Sequence, residues 1–224
     1  GVDLDRLRDE LRDMLRAAVS GELFATGPLA ATPETMRSVR DIAFSGDGEP
    51  TTCARFDDAV ALAADAKREL GLSETKLVLI TNATVLDRAG VRRGLERLDA
   101  AGGEVWAKLD AGTQGYYELV DRSRVPLEKV LRNIRDCGRA RPIVLQTMLL
   151  TIRGEPMADA EFAAYLDRVA ELRGAGSRIA RVQLYTVARQ TAEPWAAPLE
   201  RPALERFETM LRARFPDLPV ETYE

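Results

Sequence analysis

The sequence predicts an α/β domain built around a mostly parallel sheet. Short apolar runs recur along the chain, and each is followed by a segment with apolar residues at helical spacing, which is the signature of repeated βα units. The runs do not alternate strictly between apolar and polar, which suits strands buried on both faces. The length of 224 residues, with 46% hydrophobic and 30% charged side chains, suits one such domain with ordinary globular composition. Right-handed crossovers follow from parallel pairing. Pattern alone leaves open whether the sheet curls into a barrel or stays open.

In chain order, Leu4, Leu7, Leu11 and Leu15 predict a helix over 3–19. Residues 20–39, with Gly27-Pro28 and Thr32-Pro33, read as a long irregular connection, an insertion or a lid. Predicted strands follow at Asp41-Ile42-Ala43-Phe44, 76–80, 105–109, 142–145 and 182–187, with a short last run at Pro219-Val220-Glu221. Helical patterns lie near 54–70, 87–101, 126–138, 158–174 and 201–214. Residues 1–224 read as one domain, with the repeated βα units filling 40–224. The chain opens on a helix where a parallel sheet of this kind opens on a strand, so a missing first strand would leave 41–45 with an unpaired edge.

Composition excludes several chemistries. The sequence has no histidine, which removes Ser–His–Asp and Cys–His catalysis and His-ligated zinc. Its two cysteines, Cys53 and Cys137, stand in unrelated contexts and read as free thiols, the expectation for a cytoplasmic protein. The net charge of −4 argues against tight, non-specific binding to a phosphate backbone. There is no apolar stretch of membrane-spanning length, and the first residues lack a secretory pattern.

Ligands of parallel α/β folds bind past the carboxyl ends of the strands. The candidate residues therefore lie there. Gly46, Asp47, Gly48 and Glu49 follow the first strand; two glycines around an acid allow a sharp turn and close backbone approach. The alternative is a plain strand-to-helix turn capped near Thr51 or Thr52. Asn82 can reach a ligand with its amide or serve as a turn residue. Lys108 and Asp110 share one face of a strand; a ligand role is favoured over a structural ion pair because buried charges are costly unless used. Gln146, Gln183, Tyr185 and Thr186 are polar positions in apolar strands, and they need either a bound ligand or a satisfied polar core. The segment runs on to Arg189.

These residues carry a family resemblance. Phe44-Ser45-Gly46-Asp47-Gly48-Glu49-Pro50-Thr51 resembles the Gly-Gly-Glu motif of radical S-adenosylmethionine (SAM) enzymes, which holds the amino group of SAM. Thr81-Asn82-Ala83 resembles the Thr-Asn-Gly end of that family's third strand. Lys108-Leu109-Asp110-Ala111 is similar to its ribose- and carboxylate-contacting segment. Gln146-Thr147-Met148 and Gln183-Leu184-Tyr185-Thr186-Val187 are similar to its fifth and sixth strands, the latter beside the adenine. The subgroup that the chain most resembles is the Fe–S oxidoreductases related to the wyosine-type tRNA-modifying enzymes.

The resemblance implies a partial (β/α)6 TIM-like barrel lacking its first strand. It also implies SAM as cofactor, an electron donor such as flavodoxin or ferredoxin, and an unknown substrate, with tRNA or another macromolecule among the candidates. It implies a 4Fe–4S cluster as well, but the family's CxxxCxxC loop is absent, and two scattered cysteines cannot replace three thiolates in one loop. No catalytic or metal-ligating residue is therefore assigned within the chain. Two expectations follow. Either the cysteine loop lies upstream of Gly1, or the chain is a degenerate, non-catalytic SAM-binding or scaffold module. A phosphate-binding barrel enzyme ranks behind both, since the segments after Gln146 and Val187 are not glycine-rich.

Overall fold

The computed structural model describes residues 2–46, 48–188, 191 and 193–224. Its elements are α1 (Leu4–Ser20), β1 (Asp41–Phe44), α2 (Phe56–Glu69), β2 (Lys76–Thr81), α3 (Ala89–Ala100), β3 (Glu104–Lys108), α4 (Gln114–Val120), α5 (Leu127–Ala140), β4 (Ile143–Met148), β5 (Leu150–Ile152), β6 (Glu155–Pro156), α6 (Asp159–Gly174), β7 (Ile179–Tyr185), β8 (Ala196–Pro198), α7 (Arg201–Arg214) and β9 (Val220–Tyr223). The predicted alternation of parallel strands and helices is the one observed. The described pairings do not close a barrel. Two compact units can be distinguished, residues 1–80 with 87–104, and residues 81–86 with 105–224.

In the first unit, the Asp3 carboxylate caps α1 by accepting from the Asp5 and Arg6 N–H groups, and Gly21 ends it in the left-handed region at φ 84°. The predicted irregular connection is a series of single 3-10 turns at Glu22–Phe24, Gly27–Leu29 and Glu34–Met36. β1 pairs in parallel with β2, from Asp41 opposite Lys76 to Phe44 opposite Leu79. Helix α2 buries Phe56, Ala59, Val60, Ala63 and Ala66, and α3 buries Val91, Gly94, Leu95 and Leu98. Gly94 permits the close contact: a Cβ there would stand 2.6 Å from the Phe56 ring. A groove of about 620 Å³ runs along the carboxyl halves of α2 and α3, and none of the candidate ligand residues lines it.

The second unit holds a parallel sheet in the order β3-β4-β7-β9 and a separate antiparallel sheet, β6-β5-β8. The parallel sheet has two unlike faces. Val105 and Ala107, Ile143, Leu145 and Thr147, and Val182 and Leu184 alternate onto one buried face. Trp106 and Lys108, Gln146 and Met148, and Arg181 and Tyr185 lie on the other and are only half-buried. Fully buried Phe162, Tyr165 and Phe207 of α6 and α7 stack or tilt against one another in the core. Burying rings of this size stabilises the fold by roughly 1.5–3 kcal/mol each.

Candidate functional site

Strand register builds a polar row across the second unit. Lys108 pairs with Gln146, Gln146 with Gln183, and Gln183 with Glu221. The row is joined by hydrogen bonds. Gln146 Nε2 donates to Gln183 Oε1 at 3.0 Å, and Gln183 Nε2 donates to Glu221 Oε2 at 2.9 Å. Glu221 also accepts from Arg181 Nε at 3.2 Å and the Tyr223 hydroxyl at 2.9 Å. These donors and the Arg181 charge draw the Glu221 carboxyl below its ordinary range, against the upward effect of its burial. Gln146 and Gln183 are thus hydrogen-bonded to one another.

One step along the sheet is a charged cluster. Asp110 follows β3 with its side chain fully buried, and its Oδ1 accepts the Met148 N–H at 2.6 Å. Lys108 Nζ stands 3.3 Å from Asp110 Oδ2. The pair is one of charge without an aligned hydrogen bond: Asp110 Oδ2 is buried and has no hydrogen-bond partner. The Asp110 charge holds the Lys108 ammonium well above its usual range, outweighing its burial. Burial, and then the Asp110 charge, raise the Tyr185 phenol, while the Lys108 charge acts in the opposite direction.

Sequence reasoning missed the fourth member, Asp121. It caps the carboxyl end of α4 with helical backbone angles, and Arg122 then turns through the left-handed region at φ 52°. A non-glycine residue there is uncommon and is held by its surroundings; Arg122 pairs with Glu193. The Asp121 carboxyl, just before this turn, feels the Asp110 charge. Burial first, and then the Asp110 charge, push Asp121 up to about 8, while Lys108 acts in the opposite direction. Its Oδ2 is also buried without a hydrogen-bond partner. Tyr116 of α4, raised to about 12 mainly by burial, completes the surroundings.

Helix α4 is set by Thr113, whose Oγ1 accepts the Tyr116 N–H and donates to Glu161 Oε2 at 2.6 Å. Glu161 Oε1 accepts the Gly112 and Thr113 N–H groups at 2.7 and 2.9 Å. Gly112 has no room for a side chain, since a Cβ would fall 2.1 Å from the Tyr165 backbone nitrogen.

The other candidates have local structural partners. Asn82 Oδ1 accepts from the N–H and hydroxyl of Thr84, a turn role. Thr186 Oγ1 accepts the Leu199 N–H at 2.7 Å. In the first unit, Gly46 and Gly48 have open space where a Cβ would stand, with Gly46 at φ 156°. Glu49 Oε1 accepts from the Thr51 N–H at 3.1 Å, so Glu49 itself caps the 3-10 turn Pro50–Thr52. Asp47 and Arg189 lie outside the described residues. The structure thus brings Lys108, Asp110, Gln146, Gln183 and Tyr185 onto one face within one unit.

Solved structures share this fold. A radical SAM methyltransferase from Sphaerobacter thermophilus aligns with a TM-score of 0.58 at 18% identity, over 85% of this chain and 52% of its own length. Streptococcus suis SuiB, solved bound to S-adenosylmethionine, aligns with a TM-score of 0.61 at 13% identity, over 97% of this chain and 42% of its own. The chain spans about half the length of these structures or less. No protein-family model and no curated protein matches the sequence.

Proposed function

We propose that this chain is the SAM-binding region of a radical SAM-type enzyme. The observation that carries the reading is Asp110: a fully buried carboxylate with an unsatisfied oxygen, beside Lys108 and the Gln146–Gln183 row. An orphaned buried acceptor costs free energy unless something donates to it, and ligand hydroxyls are suitable donors. The likeness to two radical SAM folds supports the reading, as does the order of motifs along the chain. The relation to wyosine-type enzymes rests on the sequence resemblance alone.

A 4Fe–4S cluster does not fit the residues present. Cys53 is half-buried, Cys137 is buried, and among the described residues no three His, Cys, Asp or Glu side chains are grouped to hold a metal. The same observation favours a second reading, a non-catalytic SAM-binding or scaffold module. The two part on one assay: the full-length protein is treated anaerobically with iron and sulfide, then given SAM and dithionite. Formation of deoxyadenosine supports the enzyme, and its absence supports the module.

The binding claim itself is tested by calorimetric titration of SAM into this chain. Asp110→Asn weakens binding by about tenfold or more, roughly 1.4 kcal/mol, with an unchanged melting temperature. No binding, or binding unaffected by Asp110→Asn, refutes the claim.

A further inference from the structure

We infer that the exposed face of α5 and the loop leading into β7 form a docking surface for the phosphate backbone of a nucleic acid, held by Arg132, Arg135, Arg139 and Arg178. The inference is independent of SAM binding. These residues lead to the amino ends of β4 and β7, whereas Lys108, Asp110 and Tyr185 stand at or past the carboxyl ends of their strands.

The row is built by helical spacing and one close approach. Residues three and four apart share a helix face, so Arg132, Arg135 and Arg139 form a line about 10 Å long. The opposite face of α5, with Leu127, Val130 and Ile134, is buried. Gly138 lets the loop before β7 close on the helix: a Cβ there would stand 2.8 Å from Ser177 Cβ. The Ser177 hydroxyl donates to the Arg135 carbonyl at 3.2 Å, and the Arg178 N–H donates to the Gly138 carbonyl at 2.9 Å. Arg178 Nη2 then donates to the Arg139 carbonyl at 3.3 Å, and Arg139 Nε to the Ala175 carbonyl at 2.7 Å. Arg178 thus extends the line beyond the end of the helix. Each of these two guanidiniums commits one of its N–H groups to a carbonyl, and both residues remain exposed. Carbonyls at a helix end favour a cation, which accounts for Arg139 and Arg178 but not for Arg132 and Arg135 farther up α5.

Charge gives the sign of the partner. Among the described residues Arg132, Arg139 and Arg178 have no carboxylate within ion-pair distance, and Arg135 pairs with its sequence neighbour Asp136 at 2.9 Å. Glu128, a turn before Arg132, is the other acid of this face. Four guanidiniums against these two carboxylates leave a positive surplus, and like charges three and four residues apart on a helix repel. An anion with several charges in a line relieves that repulsion. The net charge of −4 makes the surplus a local feature of an otherwise acidic chain.

A nucleic acid fits this line better than other polyanions. Protein interfaces have an apolar core, and helices that lie on membranes sink an apolar face into them. Among the described residues neither α5 nor the loop at 175–178 exposes a large apolar side chain, and the apolar face of α5 is buried in the core. Guanidinium forks match phosphate oxygens. With no exposed ring on this face to stack on bases, contact is confined to the backbone, and binding is indifferent to base and sugar.

The experiment is fluorescence anisotropy with labelled oligo(U) and oligo(dT) of about 12 nucleotides, titrated with this chain between about 25 and about 200 mM salt. Each neutralised phosphate contributes about −0.7 to the slope of log K against log salt, so four arginines predict about −3, a loss of roughly three-hundredfold across the range. Both oligonucleotides bind alike. Arg132→Gln combined with Arg135→Gln leaves the carbonyl contacts of Arg139 and Arg178 in place and brings the slope to about −1.4. The melting temperature of that variant shows that it is folded. Arg132→Gln alone, at an exposed position, makes the slope shallower by about 0.7 and serves if the double variant does not fold. Arg6→Gln, on α1 and paired with Glu10, leaves the slope unchanged. No binding at about 25 mM salt, or a slope indifferent to the arginine substitutions, overturns the inference. So does equal binding of oligo-glutamate of matching charge, or binding of phosphatidylserine vesicles in place of the oligonucleotides. SAM is absent throughout, so failure here is separate from failure of SAM binding.

Discussion

Asn133 of α5 donates its side-chain N–H to the carbonyl oxygen of Ala83 at 2.7 Å, and Ala83 is held at φ 58°. The Ala83 N–H in turn donates to Thr81 Oγ1 at 3.0 Å. The sharp turn past β2 is thus fixed at both its N–H and its C=O. Alanine in the left-handed region is strained by roughly 1–2 kcal/mol. This is the position where the sequence departs from the Thr-Asn-Gly pattern that it resembles.

Ala83→Gly relieves that strain, at the cost of a more flexible unfolded chain, about 0.5–1 kcal/mol. The strain is the larger effect, so the variant gains stability, by up to about 1 kcal/mol. Urea denaturation reads the difference as a higher midpoint at an unchanged slope. A lower midpoint would show that the Ala83 methyl packs usefully in the turn.

The strands and long helices were legible because burial on a sheet or helix face imposes its period on sequence. The apolar run at 41–44 is β1, and the helical pattern near 201–214 is α7. Lys108 and Asp110 were legible as a pair because residues two apart on a strand share a face. Asp121 was not. Helix α4 has seven residues, too few to display a period, and the spacing of Asp121 from Asp110 does not reveal that their charges interact. Glu221 as the end of the glutamine row depends on the pairing of β7 with β9, a long-range fact absent from local pattern. The small sheet β6-β5-β8 was missed for both reasons: its strands are two or three residues long, and two of them are distant in sequence.

Gly112 fixes the loop that carries Asp110 to α4, and it admits no side chain. A Cβ would stand 2.1 Å from the backbone nitrogen of Tyr165 and 2.4 Å from the Ala164 carbonyl carbon, atoms that cannot rotate away. Overpacking of this kind costs about 1–3 kcal/mol, and collision with backbone places Gly112→Ala at the upper end. Gly115, inside α4 with open space at its Cβ position, is the control. Gly115→Ala gains about 0.5–1 kcal/mol from helix propensity. Denaturant midpoints that move the same way for both variants would refute the steric account.

The Asp110–Asp121 arrangement also sets how stability depends on pH. In the unfolded chain Asp121 ionises at about 3.9; in the folded protein burial and the Asp110 charge hold it up to about 8. Between those two values the folded state keeps a proton that the unfolded state has released. The free energy of unfolding therefore falls as pH rises through that window, by at most about 1.4 kcal/mol per pH unit, and this dependence ends above about pH 8, where both states are ionised. Coupling to Asp110 spreads the titration, so the slope observed is smaller and broader than for a lone group. Asp121→Asn removes the ionisation and keeps a hydrogen-bond donor toward Asp110. The gap between variant and unaltered protein then changes in the variant's favour from about pH 4 to about pH 8. Urea midpoints of both proteins across that range provide the check. A gap constant with pH would mean that Asp121 is ionised when folded, and that Lys108 compensates both carboxylates.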